Sequence, residues 1–395
     1  MRDELVEAFA AWRAFSPGDD EGVRVFFAPG RVNLIGEHLD YNGGQVMPAA
    51  LDLGTWAIVR MRDDGVLRIA STAFGERVTC QIDKLHYDAA DDYANYPKGA
   101  IWALMTHGVK AKGMDLLFHG NLPNRAGLSS SASVELATLV AQNHLCQANL
   151  GLADLARLGQ RTENEFVGVN SGIMDQFAVA MGRENNAILL DCDTLQYELV
   201  SMDIGNYQLV ITNTNKSRGL MDSKYNERRA ECEAALADLR KMHPSLRHLA
   251  HVQVEEWEDW QSEVTNPVAK RRARHVVTEN HRVTLAAQAL RAGQIGLFGE
   301  LMRQSHESLR DDFEVTGREL DALAMAAWSA PGCVGSRMTG AGFGGCTVSL
   351  VENESIPAFQ EEVSRWYHDE IGIAPSFYVT GIGNGAREVT QEVLD

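Results

Sequence analysis

The chain has 395 residues, 45% of them hydrophobic and 23% charged, which suits about two or three globular domains of ordinary composition. Its 54 acidic residues outnumber 36 Lys and Arg residues, and the net charge of −18 disfavours nucleic acid and anionic membranes as partners. The six cysteines are widely spaced without a C-x-x-C motif, which favours a reduced, cytoplasmic protein over a disulfide framework or zinc ribbon. No apolar run is long enough to span a membrane, and residues 1–20 are predicted to form an amphipathic helix rather than a signal peptide.

The predicted elements form two halves of mixed composition. In the first half, strands are predicted at 23–27, 55–61, 66–70, 114–119, 187–191 and 196–200, with helices at 93–112, 134–146 and 154–166. In the second half, a strand at 207–212 precedes a helix-rich segment from 220 to 328, followed by strands at 334–338, 346–351 and 377–380 and a helix at 357–370. The pattern predicts an α+β fold with two mixed domains, 1–202 and 203–395.

The first loop with candidate chemistry, residues 28–44, reads APGRVNLIGEHLDYNGG. It places Arg31, Glu37, His38 and Asp40 within ten residues, and such fixed donors and acceptors suit a polyhydroxylated ligand. A polar turn whose charges neutralise each other is an equally open alternative. Metal ligation by His38 with Glu37 and Asp40 is less favoured, because no second histidine stands at ligand spacing.

The second loop, residues 123–133, reads PNRAGLSSSAS and opens the predicted helix at 134–146. Backbone N–H groups at a helix N-terminus attract an anion, and small side chains let phosphate oxygens approach closely. Serine hydroxyls also bind phosphates or a magnesium ion. The alternative is a serine-capped helix without a ligand. The chain has no G-x-x-x-x-G-K-[ST] match, so an ordinary P-loop is excluded.

The third loop, residues 340–345, reads GAGFGG and formally matches the dinucleotide motif G-x-G-x-x-G. The residues that follow, 346–351, have the pattern of a strand rather than of a helix, which contradicts a dinucleotide fold. The loop is therefore predicted to be a glycine turn between two strands, where the backbone can approach a ligand.

A single acidic residue, Asp175, follows a turn at Gly172 and lies among apolar Ile173, Met174 and Phe177. This setting predicts partial burial near an arginine, which would hold the carboxylate ionised and oriented. A solvated helix-capping aspartate is the alternative.

Two further features are interpreted structurally. The basic run 270–274 is predicted to be the solvated face of a helix rather than a nucleic-acid patch, because the chain is acidic overall. Trp257 and Trp260 are three residues apart and are predicted to serve packing rather than ligand binding.

Taken together, these segments resemble the galactokinase family of the GHMP small-molecule kinases over nearly the full chain. Residues 30–38 with Asp40, Tyr41 and Asn42 resemble the galactokinase signature, 127–133 the phosphate loop of the superfamily, and 337–345 its C-terminal glycine motif. The resemblance implies a mixed-sheet N-terminal domain, an α+β C-terminal domain and an active site between them. It also implies ATP- and Mg²⁺-dependent phosphorylation of the anomeric hydroxyl of α-D-galactose to galactose 1-phosphate, the first committed step of galactose utilisation.

The resemblance also implies roles for individual residues. Asp175 matches the catalytic aspartate, as base or orienter of the hydroxyl, and Arg31 matches the neighbouring arginine that stabilises developing charge. Galactose contacts are implied for Glu37, His38, Asp40, Gly172 and Tyr225. Nucleotide contacts are implied for Tyr93 and Tyr96 at the adenine and for Gly127, Ser129, Ser130, Ser131, Ala132 and Ser133 at the phosphates. Ser131 and Glu163 match the magnesium ligands.

The chain departs from the family pattern at three positions, where Arg125 replaces a glycine, Leu39 a threonine and Tyr93 a tryptophan. Two alternatives keep the same fold: a sibling kinase for another sugar such as N-acetylgalactosamine or arabinose, and a galactose sensor without turnover. The intact serine loop favours the enzyme. Galactose and ATP are the expected partners, and a monomer or weak homo-oligomer is the expected assembly.

Overall fold

The computed structural model describes residues 2–123, 126–216 and 221–394 of the chain. Within these ranges the strands are β1 Arg24–Asn33, β2 Gln45–Val46, β3 Pro48–Arg62, β4 Val66–Ser71, β5 Val78–Gln81, β6 Gly113–Gly120, β7 Asn186–Asp191, β8 Tyr197–Ser201, β9 Tyr207–Asn213, β10 Cys333–Thr339, β11 Cys346–Glu352, β12 Ser376–Thr380 and β13 Arg387–Glu388. The helices are α1 Arg2–Phe15, α2 Asn95–Thr106, α3 Ser130–Leu145, α4 Leu152–Arg161, α5 Met174–Met181, α6 Met221–Leu239, α7 Val254–Trp260, α8 Pro267–Arg291, α9 Ile295–Ser308, α10 Gly317–Ser329, α11 Ile356–Ile371 and α12 Thr390–Leu394.

In the described residues the strands form three sheets, ordered β13-β1-β3-β6-β4-β5, β10-β11-β9-β12 and β2-β7-β8. The first sheet is mixed, because β4 pairs parallel to β6 while the other neighbours are antiparallel. The predicted α+β class and mixed N-terminal sheet are confirmed. The predicted glycine turn is confirmed as well, since 340–345 joins the antiparallel strands β10 and β11.

Alternating side chains of the first sheet build two separate cores. Val25 and Phe27 of β1 pack with Trp12 of α1 on one face, whereas Phe26 and Ala28 face the large central core. This alternation is the two-residue period of a strand buried on both faces. The central core continues into the second half through α8, α9 and β10, so the apolar interior is shared across the middle of the chain.

The division of the chain at 202/203 stays a prediction. The second sheet takes its first strand, β9, from Tyr207 onwards, which lies close to that position. The end of the chain returns to the first half, because β13 pairs with β1 and Val25 N–H donates to the Thr390 hydroxyl at 2.9 Å.

Three local predictions need correction. The helix predicted at 93–112 ends at Thr106, since Gly108 adopts a positive φ of 96° and cannot continue it. The helix predicted at 154–166 ends at Arg161 and continues as a π-helical turn, Thr162–Val167. The prediction of a solvated face at 270–274 is wrong for Arg272, which is 2% exposed and bonds Glu231 at 2.7 Å and the Asp312 carbonyl at 2.6 Å.

The packing role predicted for Trp257 and Trp260 is confirmed. Trp257 is buried and Trp260 stacks on His243, with ring centroids 3.6 Å apart. All six cysteines lie in described residues, and none of them forms a disulfide. Among the described residues, none of the helices combines the length and the apolar character that a membrane crossing needs.

Candidate active site

Arg31 of β1 and Asp175 in the first turn of α5 form a bidentate ion pair. Arg31 Nε donates to Asp175 Oδ1 and Nη2 to Oδ2, both at 2.8 Å. Arg31 Nη1 donates to the Gly127 carbonyl at 2.7 Å, and the Ser129 hydroxyl donates to Asp175 Oδ2 at 2.5 Å. The predicted partial burial of Asp175 beside an arginine is confirmed, since the two side chains are 29% and 5% exposed. Two planar groups paired in this way fix each other's orientation.

The serine loop leads into α3, which begins at Ser130 and not at the predicted residue 134, and Ser129 at the N-cap forms no side-chain capping hydrogen bond. Gly127 and Ser129 adopt positive φ values of 78° and 60°, and the first helical bond runs from Ser133 N–H to the Ser129 carbonyl at 2.9 Å. The N–H groups of Ser130, Ser131 and Ala132 therefore precede the helical hydrogen-bond ladder, as an anion site at a helix N-terminus requires. Arg125, where the loop departs from the family pattern, lies outside the described residues.

The hydroxyls of this loop have different partners. The Ser131 hydroxyl donates to Glu163 Oε1 at 2.9 Å, whereas the buried Ser133 hydroxyl donates to the Ala28 carbonyl of β1 at 2.7 Å. Ser133 therefore ties the helix to the sheet, and Ser131 faces the carboxylate that the family resemblance pairs with it.

Glu37 joins the first loop to the third. The carboxylate is 1% exposed and accepts from Arg337 Nη1 at 2.9 Å, from Gly340 N–H at 2.6 Å and from the Asn33 side-chain amide. Burial raises the pKa of Glu37, while Arg337 and the Gly340 N–H oppose that rise. The glycine loop also lies directly against the serine loop, since a Cβ at Gly340 would stand 3.1 Å from the Gly127 carbonyl.

One cavity of about 290 Å³ lies where these loops meet, close to the lower end of the range for small-molecule sites. The residues expected in catalysis and galactose binding all line it: Arg31, Glu37, His38, Asp40, Gly172, Asp175 and Tyr225. Glu163 lines it as well. Residues from both halves of the chain line this cavity. Their polar groups are fixed hydrogen-bond donors and acceptors, as the hydroxyls of a monosaccharide require.

Burial sets the charge state of the sugar-facing groups. It lowers the pKa of His38 to about 3, so the ring is neutral at pH 7, and Nδ1 contacts the Tyr41 hydroxyl at 2.9 Å. Its Nε2 has no hydrogen-bond partner among the described residues. Burial, with the nearby charge of Asp175, raises the pKa of Asp40 to about 7. The pKa of Tyr225 is likewise raised by burial, which keeps its hydroxyl protonated.

Gly172 is required by the close approach of Asp40. A Cβ at Gly172 would lie 1.8 Å from Asp40 Oδ2, so any side chain there must displace that carboxylate from the cavity wall.

We expect Gly172→Ala to weaken galactose binding about tenfold or more, because Asp40 loses its position as a fixed acceptor. Isothermal titration with galactose measures the change in affinity. Gly168→Ala is the control, because Gly168 also lines the cavity and a Cβ there meets nothing within 4 Å. It tests whether any added methyl group weakens binding. Since Gly168 has a positive φ of 89°, thermal unfolding of both variants corrects for strain. Unchanged galactose affinity in folded Gly172→Ala would refute the assignment.

Ser131 and Glu163 provide a hydroxyl and a carboxylate 2.9 Å apart, which are the hard oxygen ligands that Mg²⁺ prefers. Burial raises the pKa of Glu163, and the negative charge of Asp175 adds to that rise, so a divalent cation would relieve the repulsion. The described residues contain no group of three His, Cys, Asp or Glu side chains suited to a metal.

The two tyrosines expected at the adenine lie apart from the cavity, near the start of α2. Tyr93 is 9% exposed, and its hydroxyl donates to the Glu76 carbonyl at 3.0 Å. Tyr96 is half-buried one turn before Gly99, where α2 packs against Thr162 and Phe166 of the π-helical turn that carries Glu163. Leu39, the departure from the sugar signature, packs into the central core.

Sequence reasoning missed several contributors to the site. Arg337 is 0% exposed and holds Glu37, and Asn226 lines the cavity. Gly340 and Ala341 line it too, and they belong to the glycine turn that the sequence predicts to approach a ligand. Arg337 stands in the strand CVGSRMT, and an arginine amid such a run is itself a signal for a buried partner. No local signal marks Asn226.

Comparisons with known proteins show the family of the chain. Residues 95–183 match the family of GHMP kinases N terminal domains, 13–61 the galactokinase galactose-binding signature and 286–369 the GHMP kinases C terminal family. The galactokinase of Halalkalibacterium halodurans is 50% identical over 387 residues, covering 98% of each chain. The galactokinase of Bacillus subtilis is 47% identical over 395 residues, covering 99% of this chain and 100% of that one.

Solved structures give the same result. The crystal structure of Lactococcus lactis galactokinase complexed with galactose has a TM-score of 0.93 and 43% identity, covering 97% of this chain and 99% of that chain. Methanococcus jannaschii mevalonate kinase, at 17% identity, has a TM-score of 0.65, covers 93% and 100% of the two chains, and shows the shared fold alone. With relatives of this identity over nearly its whole length, the chain belongs to the galactokinase family of the GHMP kinases.

Proposed function

We propose that the transfer of the γ-phosphoryl group of ATP to the anomeric hydroxyl of α-D-galactose takes place in the cavity beside Arg31 and Asp175. One observation carries this assignment: Arg31 and Asp175 form a bidentate ion pair. The pair lies between the cavity of about 290 Å³ and the N-terminus of α3. Phosphoryl transfer asks mainly for in-line positioning and for neutralisation of charge on the transferred group. A fixed carboxylate and a guanidinium at one point supply both.

Asp175 acts on the sugar hydroxyl in this proposal. Three donors from Arg31 and Ser129 already engage its two oxygens, so the carboxylate is held in one orientation and accepts the hydroxyl proton late in the transfer. Arg31 is turned towards the Gly127 carbonyl of the phosphate loop, where its charge stabilises the negative charge that develops on the transferred group.

The sugar ring is held by groups of fixed direction. Neutral His38, Asp40, Glu37 and the Tyr225 hydroxyl lie on the same wall and provide hydrogen-bonding groups for the sugar. A buried donor or acceptor that loses its partner costs about 1–3 kcal/mol, which is how such a wall discriminates between sugars. Gly172 leaves room for the Asp40 carboxylate and does not itself bond the sugar.

The nucleotide phosphates lie at the N-terminus of α3 in this proposal. The N–H groups of Ser130, Ser131 and Ala132 with the small residues Gly127 and Ser129 receive them, and Ser133 holds the helix on the sheet. Ser131 and Glu163 would hold Mg²⁺, which when bound neutralises phosphate charge. Tyr93 and Tyr96 lie on the adenine side.

The alternatives from the sequence remain testable in one assay. A sibling kinase would release more ADP with N-acetylgalactosamine or arabinose than with galactose, and a sensor would bind galactose and ATP without ADP release. Family membership and the intact serine loop support the galactose-specific enzyme. We further propose a cytoplasmic location, supported by six cysteines outside any disulfide, and a monomer or weak homo-oligomer acting on small molecules without nucleic acid or membrane.

The magnesium assignment predicts different effects for substitutions of two serines in the same loop. We expect Ser131→Ala to raise the Mg²⁺ concentration for half-maximal ADP release about tenfold, because one ligand is lost and Glu163 loses its hydrogen bond. Ser133→Ala is the matched control, since its hydroxyl bonds the Ala28 carbonyl, and it should lower thermal stability while leaving the Mg²⁺ dependence unchanged. Identical Mg²⁺ curves for both variants and the parent chain would rule out Ser131 as a ligand.

A further inference from the structure

Glu135 of α3 is a buried carboxyl group that the proposed reaction does not use. It is 0% exposed, and its Oε2 accepts a hydrogen bond from Gln176 Nε2 at 3.2 Å. Its Oε1 has no hydrogen-bond partner among the described residues. A buried polar group that lacks part of its hydrogen bonding costs stability, which is unusual for a residue whose only role is packing.

Glu135 carries no charge in the folded chain. In the part of the chain that the structure describes, it forms no ion pair, and an unpaired charge is costly at this depth. Burial raises the pKa of Glu135 well above its usual value, and the negative charges of Glu163 and Asp175 raise it further. The group is therefore a carboxylic acid at pH 7 and adds no third negative charge beside Glu163 and Asp175.

The Gln176 side chain is confined by the helices around it. Gln176 directly follows Asp175 in α5 and is 0% exposed. A Cβ at Gly159 of α4 would stand 2.8 Å from Gln176 Cγ, so the glutamine lies tightly against that helix. Its Nε2 has two hydrogens, and the bond to Glu135 fixes the direction in which the second one points.

The same amide stabilises the ionised form of Glu163. Burial is the main cause that raises the pKa of Glu163, and hydrogen bonding from Ser171, Ser131 and Gln176 opposes that rise. Glu163 lies in the π-helical turn, whereas Ser131 belongs to α3 and Gln176 to α5. Three elements therefore hold one carboxylate in place.

We propose that Gln176 and Glu135 are positioning residues for the magnesium site. Gln176 fixes the direction of the Glu163 carboxylate, and the uncharged Glu135 fixes the Gln176 amide through its Oε2. Loss of a partner behind a metal ligand typically weakens metal binding about 10–100-fold. The inference rests on the proposed assignment of Ser131 and Glu163 as ligands, and it adds two residues that do not line the cavity.

Gln176→Leu tests the link to Glu163 through nucleotide binding as well as turnover. The dissociation constant of a non-hydrolysable ATP analogue, measured by isothermal titration, should be unchanged without Mg²⁺ and rise about tenfold at limiting Mg²⁺. The Mg²⁺ requirement, defined as the concentration for half-maximal ADP release, should rise by a similar factor, with the galactose dissociation constant unchanged. Thermal unfolding without Mg²⁺ shows whether the variant folds.

Two substitutions of Glu135 separate its hydrogen bond from its bulk. Glu135→Leu removes the acceptor of Gln176 Nε2 and should reproduce the Mg²⁺ requirement of Gln176→Leu. Glu135→Gln keeps an uncharged acceptor and should retain the parent requirement. Thr138→Val is the control in the same helix, since the buried Thr138 hydroxyl donates to the Val134 carbonyl within α3, and it should leave the Mg²⁺ requirement unchanged.

The outcomes distinguish this inference from the assignments on which it rests. A Mg²⁺ requirement of Gln176→Leu within twofold of the parent value, while Ser131→Ala raises it, would overturn the positioning role and leave the ligand assignment intact. An equal rise in Glu135→Gln and Glu135→Leu would overturn the role of the uncharged acceptor. Absence of ADP release from the parent chain would instead refute the proposed function, and the Mg²⁺-dependent binding of the analogue would still decide the role of Gln176.

Discussion

Replacing Asp175 by alanine is expected to lower kcat by about a hundredfold to ten-thousandfold, while the dissociation constant of galactose changes by less than about tenfold. In the proposed mechanism the carboxylate orients and deprotonates the reacting hydroxyl, whereas most of the sugar would be held by His38, Asp40 and Tyr225, which line the same cavity. Steady-state ADP release gives kcat, and isothermal titration gives the galactose dissociation constant.

Two control experiments support the interpretation of Asp175→Ala. Asp175→Ala leaves the buried Arg31 guanidinium without its carboxylate, so thermal unfolding of the variant must first show that it folds. Ser129→Ala removes only one donor to the same carboxylate and should lower kcat less than Asp175→Ala. Equal turnover of Asp175→Ala and the parent chain would discard the catalytic assignment.

Replacing Glu37 by alanine should be the most destabilising change in the site, by about 3–5 kcal/mol. Arg337 is 0% exposed, and its Nε and Nη2 have no hydrogen-bond partner among the described residues, so the bond to Glu37 provides the direct compensation of its charge, with the buried carboxylate of Glu279 nearby. The same change removes the acceptor of the Gly340 N–H and so loosens the glycine loop from the first loop. Urea unfolding followed by tryptophan fluorescence measures the loss.

The double variant Glu37→Ala with Arg337→Met gives the matched control. It removes both charges, so it should be more stable than Glu37→Ala alone, and the difference measures the penalty of the uncompensated guanidinium. If Glu37→Ala alone lost less than about 1 kcal/mol, the pair would not be the link between the first and third loops.

The regular elements could be predicted where local pattern decides them. In the first sheet β1, β3, β4 and β6 carry apolar residues that predict a strand, whereas β5 (VTCQ) and β13 (RE) carry no such pattern and are not predicted. The strand pattern that follows 340–345 likewise predicts the glycine turn. Helix ends were predicted less well, since the π-helical turn at Thr162–Val167 has no local sequence signal and is stabilised by packing against α2.

The site could be predicted in its members and in two of its connections, Arg31 with Asp175 and Ser131 with Glu163. Arg31 and Asp175 lie 144 residues apart, so the local pattern indicates only an arginine near Asp175, and it is the family resemblance that identifies Arg31. The buried partners Arg337 and Arg272 were missed, because pairing with Glu37 or Glu231 depends on tertiary contacts that no spacing reveals.

The most direct test of the account is ³¹P NMR of the purified chain with ATP, Mg²⁺ and either galactose or 1-deoxygalactose, which lacks only the anomeric hydroxyl. With galactose, the account predicts ADP and one new monoester signal, coupled to the anomeric proton in the α configuration. With 1-deoxygalactose it predicts binding without any new phosphate ester. A phosphate ester on another hydroxyl, or no ester with galactose while both ligands bind, would contradict it.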